Sequence, residues 1–473
     1  MFFGLGRKKQ EALADKMEQE GNQDYWSIVR AQFKKNILAV WSLRIFYVIL
    51  FIAIFADFIA NEKPIYCVMK AMDDERNYIV EKNPTTGEMD TATVTYWPIF
   101  RQYMIDLGLA KEWSPRFKIK KWHEHGEDYV TAFFPPITYS SGTLDKKNIH
   151  YKSPFDDQQP KNKKAKLKTY RGWHYLGTDN LGRDVASGMV HGTRTAMLVG
   201  IVSMSIALLI GIFLGALSGY FGDDRLKVSR IRIALNIVAF VAFVFYGFII
   251  RSYAFSDGIK EGSILGQLGT TILIFFGLFG LANLLVMPLK LLKFLGKKVS
   301  IPMDILVMRF IEIVNSIPVL ILILAIVAII ETPSILYVMA IIGLVSWTGI
   351  AKFIRAELLR VHRLEYIEAA QAFGYSELRI ILRHAIPNGL APVLIAAAFG
   401  IASAILTESF LSFIGVGVPA EQVTWGSLLS LSRGNPSAWW LAVFPGSAIF
   451  ITVTIFNLLG EGLTDALNPK LKE

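Results

Sequence analysis

The strongest constraint in this sequence is a series of long, uninterrupted apolar stretches. Each is about 20 residues long, the length that an α-helix needs to cross roughly 30 Å of hydrocarbon. The chain is 53% hydrophobic and only 19% charged, which is outside the range of ordinary globular domains. The stretches lie at about 42–60, 195–221, 232–250, 264–289, 305–330, 335–351, 391–416 and 439–460. They predict an all-α polytopic membrane protein with about eight transmembrane helices.

The distribution of basic residues predicts the orientation of these helices. Lys and Arg are enriched in short cytoplasmic loops, and the N-terminal segment 1–41 is rich in them. Alternate crossing then places three further basic loops inside, at 222–231, 290–298 and 352–390. The outer loops at 331–334 and 417–438 contain only one basic residue, Arg433. Both termini are therefore predicted to be cytoplasmic, and the net charge of +10 requires no nucleic-acid partner.

The longest segment outside the membrane, 61–174, is predicted to be a small extracytoplasmic insert of mixed structure. Alternating apolar residues at Thr91–Phe100 and Tyr129–Phe134 predict strands. The candidates for its core are four tryptophans, Trp97, Trp113, Trp122 and Trp173. The lysine-rich run from Lys161 to Lys168 is predicted to be a solvated linker back to the membrane.

Several kinds of chemical site are absent from the sequence pattern. The single cysteine, Cys67, excludes an intrachain disulfide and a metal site built on cysteine. His123, Glu124 and His125 lack the i, i+4 histidine spacing of a helical zinc site, so no metal site is predicted. No nucleophile elbow, dinucleotide-binding glycine loop or ATP-binding GxxxxGKS/T motif occurs. The chain is therefore predicted not to be an enzyme, and any ATP that drives it must bind another protein.

The basic loop 352–390 contains a segment with the pattern of a docking element. Glu368–Ala370 predicts a compact helix, and Gly374 permits a turn after it. A second short helix is predicted over Ser376–Arg383, capped by its first residue and stopped by Pro387. Two short helices at an angle would then stand on the cytoplasmic face. An ordinary amphipathic loop is the alternative.

This segment resembles the EAA loop of ABC importer permeases. The family pattern is Glu-Ala-Ala, a glycine four residues after the second alanine, and a proline thirteen residues after that glycine. The corresponding residues here are Glu368, Ala369, Ala370, Gly374, His384 and Pro387, of which His384 stands at a position where the family often has isoleucine. In that family the loop contacts a cleft on the ATPase subunit. The resemblance therefore implies that these residues couple the chain to an ATPase.

Three further motifs resemble the peptide and nickel branch of the same family. They are LGTDNLGRD at 176–184, TESFLSFIGVG at 407–417 and NLLGEGLTDALNP at 457–469. The resemblance implies a type I permease core made of 175–222, with the outer-edge motif and the second helix, and of 301–473. The enlarged insert is similar to that of variant peptide permeases. The segment 223–300 has no counterpart in the usual six-helix subunit and is predicted to be an inserted transmembrane hairpin.

The resemblance also implies a function and a set of partners. The chain would form the translocation pathway of an importer for peptides or a related small solute in the cell inner membrane. Its partners would be a homologous permease subunit, two ATPase subunits that use ATP and Mg, an extracytoplasmic substrate-binding protein and the lipid bilayer. No cofactor is expected in this chain itself. The alternatives are a secondary transporter, an importer for nickel or a peptide antibiotic, and a membrane scaffold.

Three groups of residues within or beside the helices are candidate site residues. One helical face carries small residues four apart, Ser203, Ala207, Gly211, Gly215 and Gly219, which predicts close helix packing. Polar residues within apolar spans either line a pathway or form buried hydrogen bonds, and here they are Glu312, Asn315 and Glu408. The outer-edge motif holds Asp179, Arg183 and Asp184, as a helix cap with an ion pair or as part of an outer gate.

The orientation can be tested by labelling single cysteines in intact cells stripped of any outer membrane. Cysteines placed in 61–174 should react with an impermeant thiol reagent, because that insert is predicted to face outward. Cysteines placed in 365–385 should not react. The reverse pattern of labelling would contradict the predicted orientation.

Overall fold

The computed structural model describes residues 25–71, 79–82, 89–106, 108–113, 117, 122, 128–158, 172–254, 264–289, 296–330, 333–419 and 422–467. The segment His123–His125 and the run Lys161–Lys168 lie outside these described residues. The chain divides into two compact units. The first holds Met1–Gly211, Ile317–Ile350 and Leu390–Glu473, and the second holds Ile212–Ser316 and Ala351–Gly389.

The described part of the N-terminal half contains helices before, within and after the small insert. Its helices are α1 (Tyr25–Lys35), α2 (Ile37–Ile54), α3 (Ala56–Ile59), α4 (Pro98–Asp106) and α5 (Val185–Phe221). Its strands are β1 (Tyr66–Lys70), β2 (Val80–Lys82), β3 (Met89–Thr91), β4 (Thr93–Tyr96) and β5 (Tyr129–Phe133). Asn36 caps α2, because its side chain accepts a hydrogen bond from the amide of Ala39.

The described residues in the remainder of the chain are mostly helical. It begins with β6 (Lys227–Ser229), α6 (Arg230–Val244), a π-helical turn (Phe245–Ile249), α7 (Ile264–Leu289) and β7 (Lys298–Ser300). There follow α8 (Met303–Asn315), α9 (Val319–Ile329), α10 (Ile335–Val361), α11 (Glu365–Ala372) and α12 (Glu377–Ile380). The last elements are a π-helical turn (Ile381–Ala385), α13 (Ile386–Gly389), α14 (Ala391–Phe413), α15 (Trp425–Leu431) and α16 (Trp440–Leu467).

The predicted class, an all-α polytopic membrane protein, is confirmed. Within the described part of the chain, seven helices are long and apolar enough to span a membrane, or up to eight if α8 and α9 together form one broken span. That number agrees with the eight apolar stretches of the sequence. Many of their large apolar side chains are exposed in the isolated chain, as expected for surfaces that contact lipid or other subunits.

Several predicted spans have different boundaries in the structure: α2 and α5 begin earlier than expected, at Ile37 and Val185, and two others differ in continuity or length. The stretch 305–330 is not one continuous helix, because it breaks at Ser316–Pro318, where proline disfavours helical geometry in the preceding residue. The stretch 335–351 is not short, because α10 continues for 27 residues to Val361. A hydrophobicity criterion did not detect the C-terminal part of this helix, because that part is polar. The loop predicted at 352–390 therefore begins with ten residues of helix.

The insert has a small core around a three-stranded antiparallel sheet of order β4-β1-β5. Its buried residues are Cys67, Met69, Trp113, Trp122 and Tyr129. Two of the four tryptophans proposed for the core are instead exposed, Trp97 at 56% and Trp173 at 44%. The strand predicted at Thr91–Phe100 is also shorter than expected, because α4 begins at Pro98, a residue suited to the first turn of a helix.

The small-residue face of α5 packs against α10 of the same chain. In the first unit the Ser203 hydroxyl donates to the carbonyl of Met339 at 2.8 Å. A Cβ added at Gly211 would lie 2.7 Å from the Cβ of Ile350. In the second unit a Cβ at Gly215 would lie only 2.6 Å from the carbonyl oxygen of Ala351. Ala207 and Gly219 continue this face, and Ala207 is fully buried. The two backbones thus approach as closely as small residues permit.

The segment between α5 and α8 is a helical hairpin whose ends meet. Strands β6 and β7 pair antiparallel, with Val228 opposite Val299. The amides of Met303 and Asp304, at the start of α8, donate to the carbonyl of Gly222, just beyond the end of α5. Because the chain leaves and returns at almost the same point, α6 and α7 form an appendage joined through a two-stranded ribbon.

Substitution of Gly215 by alanine tests the helix contact. The new Cβ would collide with the backbone of Ala351, so we expect the variant to lose about 1–3 kcal/mol of stability. Gly280→Ala in α7 is the matched control, because nothing lies within 4 Å of a Cβ there. Thermal unfolding in detergent compares the two. Equal unfolding temperatures for both variants would contradict the close contact.

Candidate functional site

The loop that carries the Glu-Ala-Ala pattern is built on a sharp turn at Gly374. Helix α11 ends there, and Gly374 has φ +78°, a conformation that only glycine adopts without strain. The amide of Gly374 donates to Gln371 at 2.9 Å, and the amide of Tyr375 donates to Ala370 at 3.2 Å. These two bonds form a Schellman motif, which satisfies the last carbonyls of the helix. The expected turn is thus a defined C-cap.

The loop has a buried side and an exposed side of different character. Ile367, Ala370 and Ile380 are at most 6% exposed and hold the two short helices against their own unit. On the other side, Glu368 and Ala369 are exposed. Large apolar side chains share that exposure, namely Phe373 at 81%, Leu378 at 66% and Leu382 at 59%. Exposed aromatic and aliphatic side chains of this kind mark surfaces that bind another protein.

The second half of the loop differs from the sequence prediction in two ways. Ser376 stands at the N-cap position of α12, but its side chain makes no capping hydrogen bond. Pro387 does not stop the helix before the membrane. It lies in the first turn of α13, directly after the π-helical turn Ile381–Ala385, where a proline is compatible with the backbone. His384 is half-buried, and its ring lies parallel to that of Tyr375.

A buried tyrosine at the end of α5 joins this loop to the membrane helices. The hydroxyl of Tyr220 donates to the carboxylate of Glu377 in α12. Its ring stacks on His362, which follows α10, with centroids 5.0 Å apart. Tyr220 is only 1% exposed. Tyr220 was not among the predicted site residues, although a tyrosine at the end of an apolar span is the signal that could have suggested a polar contact there.

An arginine–aspartate pair lies on the same unit and was also missed. Arg355 of α10 binds Asp304 of α8 through two nitrogens, with Nη2 2.6 Å from Oδ2. The hydroxyl of Ser218 in α5 donates to the same carboxylate at 2.5 Å. Such bidentate pairs fix geometry as well as adding energy. Three helices of this unit, α5, α8 and α10, are therefore tied together by one carboxylate.

The outer-edge motif folds into a compact loop around Asp179. Its carboxylate accepts bonds from the amides of Leu181 and Arg183, and from the Arg183 side chain at 2.6 Å. Asp184 then caps α5, because it accepts from the amide of Ser187 at 2.6 Å. A cavity of about 280 Å³ adjoins the motif, lined by Asp179, Arg183, Asp184, Ser412, Gln422 and Ser427 among others. The structure thus contains both the helix cap and the ion pair.

A fully buried histidine connects this motif to the insert. One ring nitrogen of His174 lies 2.7 Å from Asp184, and the other lies 3.4 Å from Asp145. Tyr139 stacks on the ring with centroids 4.3 Å apart. Burial lowers the pKa of His174, but hydrogen bonds to Asp145 and Asp184 and their charges outweigh it, so the pKa is raised above 6.5. His174 was not among the residues predicted from the sequence.

The three polar residues proposed to line a pathway occupy different environments. Glu408 is 1% exposed and accepts a hydrogen bond from Ser412 at 2.5 Å, so its side chain does not reach a surface of this chain. This environment fits the alternative given above for Glu408, a buried hydrogen bond. Glu312 and Asn315 are exposed on α8, and Glu312 pairs with Arg309 at 2.7 Å. These two lie next to the break at Ser316–Pro318.

Comparison with known proteins shows which protein families the sequence of this chain resembles. A family model described as the binding-protein-dependent transport system inner membrane component matches residues 294–473. A second, described as the N-terminal TM domain of oligopeptide transport permease C, matches 24–78. These matches and the helical architecture are similar to those of transport permeases. Over these residues the chain resembles the oligopeptide and dipeptide transport permeases of the C type.

Individual relatives carry related names. A putative peptide transport system permease protein of Brucella suis is 46% identical over 123 residues, 26% of this chain and 42% of the relative. The oligopeptide transport system permease protein OppC of Haemophilus influenzae is 29% identical over 303 residues, 64% of this chain and 72% of the relative. The glutathione transport system permease protein GsiD of Pectobacterium atrosepticum is 28% identical over 302 residues, 63% of this chain and 73% of the relative. The match thus spans less than half the length of the Brucella relative.

The buried histidine predicts a specific dependence of stability on pH. Because the pKa of His174 is raised in the folded chain, its stabilising contribution is present below about 6.5 and is lost as pH rises through the folded pKa. His174→Gln should be destabilised by about 3 kcal/mol at pH 6 and should lack this slope. Unfolding temperatures between pH 6 and 9 measure both effects. Identical slopes in the two proteins would contradict the protonated state.

Proposed function

We propose that this chain is the permease subunit of an ATP-binding-cassette importer for peptides, and that ATP is hydrolysed by separate subunits. The observation that carries this proposal is the surface of the loop after α10. It combines a rigid turn at Gly374 with exposed Phe373, Leu378 and Leu382. A loop with no partner would not keep three large apolar side chains in water. The similarity of the chain to binding-protein-dependent transport permeases supports an ATPase as that partner.

The proposed coupling depends on how the loop is attached. Force applied to the two short helices reaches α5 through the bond between Glu377 and Tyr220. It reaches α10 through the stack of Tyr220 on His362. The pair of Asp304 with Arg355 extends the connection to α8. Because this unit is tied by directional polar contacts, movement of the ATPases would move the helix ends as one piece rather than bend the loop.

The remaining partners and the location belong to the same proposal. The chain pairs with a homologous permease subunit, and two ATPase subunits supply the sites for ATP and Mg. An extracytoplasmic binding protein delivers the substrate to the outer-edge motif and its cavity. The complex lies in the inner membrane with both termini of this chain in the cytoplasm, as the basic loops favour. Relatives named for peptide, oligopeptide and glutathione transport support a peptide-class substrate.

Glu312 and Asn315 are the proposed contacts to the pathway. They are exposed in the isolated chain and stand on the last turns of α8, immediately before the helix break. Exposed polar groups within a membrane helix require water or a partner subunit. Glu408 is assigned a structural role instead, because it is buried and hydrogen-bonded to Ser412 within its own unit. The outer gate would then rely on Asp179, Arg183 and Asp184.

Phe373→Ser tests the docking surface. The side chain is 81% exposed, so its removal should leave the stability of the chain nearly unchanged. If it fills a pocket on an ATPase, its loss should cost about 2 kcal/mol or more of binding, roughly a thirtyfold weaker association. Co-purification of the ATPases and peptide uptake, at matched membrane abundance, are the measurements.

The control is Phe155→Ser, which removes an equally exposed phenylalanine, at 85%, from the insert. It should leave ATPase association unchanged. Gly374→Asp should abolish uptake while the protein stays in the membrane, because aspartate strains the φ +78° turn and places a charge on the docking side. Normal ATPase association and uptake by the Phe373→Ser variant would refute the docking role.

A further inference from the structure

The base of the hairpin carries an apolar groove with an arginine at its edge. The groove has a volume of about 590 Å³ and lies between the β6–β7 ribbon and the helices α6 and α7. Its apolar lining includes Val228, Ile233, Ile237, Phe240 and Phe279. Arg232 lines the same groove from the first turn of α6. A surface that is apolar along its length and cationic at one end matches an amphiphile with a negative head group.

Arg232 has no counterion within the described part of the chain. Its Nε donates to Asn283 of α7 at 2.7 Å, and Asn283 in turn donates to Asn236 at 3.2 Å. These amides orient the guanidinium but carry no charge. No carboxylate of the described residues forms an ion pair with it. A guanidinium fork with its terminal nitrogens uncommitted is suited to two-point contact with a phosphate.

The surroundings of Arg232 add positive potential. Five other basic residues lie on the ribbon and beside it, Arg225, Lys227, Arg230, Lys297 and Lys298, against two acidic ones, Asp223 and Asp224. Val228 faces the groove, and side chains alternate along a strand, so Lys227 lies on the opposite face of the ribbon. The ribbon is therefore amphipathic. In addition, no side-chain hydrogen bond caps the amides at the start of α6.

We propose that this groove binds an anionic phospholipid. The phosphate contacts Arg232 near the start of α6, and one acyl chain lies along Ile233, Ile237 and Phe240, with Phe279 on the other side. The basic residues of the ribbon favour an anionic over a zwitterionic head group. Under the orientation proposed above, the lipid comes from the inner leaflet. Binding itself depends only on the charge and shape of the groove, so it does not depend on the transport function.

Photo-crosslinking to the full chain in mixed lipid–detergent micelles tests this site. The probes are phosphatidylglycerol and phosphatidylcholine that carry the same diazirine acyl chain. Peptide mapping reads labelling of 233–240 and 279–283. Phosphatidylglycerol should label these peptides about fivefold more than phosphatidylcholine, the ratio expected for one basic residue near a head group. In Arg232→Gln that ratio should fall to less than half of its value in the natural protein, because only the more distant basic residues of the ribbon then favour the anionic lipid, while labelling by phosphatidylcholine persists and shows that the groove is intact.

The hairpin provides a matched control at its other end. A second apolar groove of about 520 Å³, which includes Tyr246, Ile250 and Leu278, is lined by Arg251, and Arg251 donates to Gln267 at 2.5 Å. Arg251→Gln should leave the preference at the first groove unchanged. Arg232→Lys keeps the charge and should keep most of the preference. Equal labelling by the two lipids in the natural protein, or an unchanged ratio in Arg232→Gln, would overturn the proposal.

Discussion

The close approach of α5 to α10 is the contact on which the rest of the second unit depends. Gly215 and Gly219 bring the two backbones so near that an added Cβ would lie 2.6 Å from a carbonyl oxygen of α10 at either position. Only at that separation can Tyr220 stack on His362 and donate to Glu377. Each of these glycines has only a hydrogen atom in place of a side chain. The close packing that this allows therefore determines where the loop after α10 lies.

Several polar contacts connect segments that are separate along the chain. In the first unit, His174 lies between Asp145 and Asp184 and so ties the insert to the start of α5. In the second, one carboxylate, Asp304, accepts bonds from both α5 and α10. Burial makes such bonds strong when they are complete and costly when one partner is lost. Under the proposed transport function, such contacts would let these segments move together without unfolding.

The inserted hairpin differs from the core in the distribution of its apolar and polar side chains. Its helices expose apolar side chains around much of their circumference, and near the ribbon a short string of polar side chains, Arg232, Asn283 and Asn236, connects α6 and α7. Its ends meet at a two-stranded ribbon, so the chain enters and leaves the hairpin at almost the same point. That arrangement suits an element whose contacts are with lipid.

Sequence alone determined the class, the approximate number of spans and the turn at Gly374, because hydrophobicity, loop charge and glycine are local signals. It could not decide that 305–330 breaks at Ser316–Pro318, or that α10 continues to Val361. Nor could it find Tyr220 or His174, whose partners are 157 residues away in one case and 29 and 10 in the other. Glu408 looked the same as Glu312 in sequence, yet one is buried and one exposed. Only tertiary packing chooses between these environments, because burial depends on neighbours that are distant along the chain.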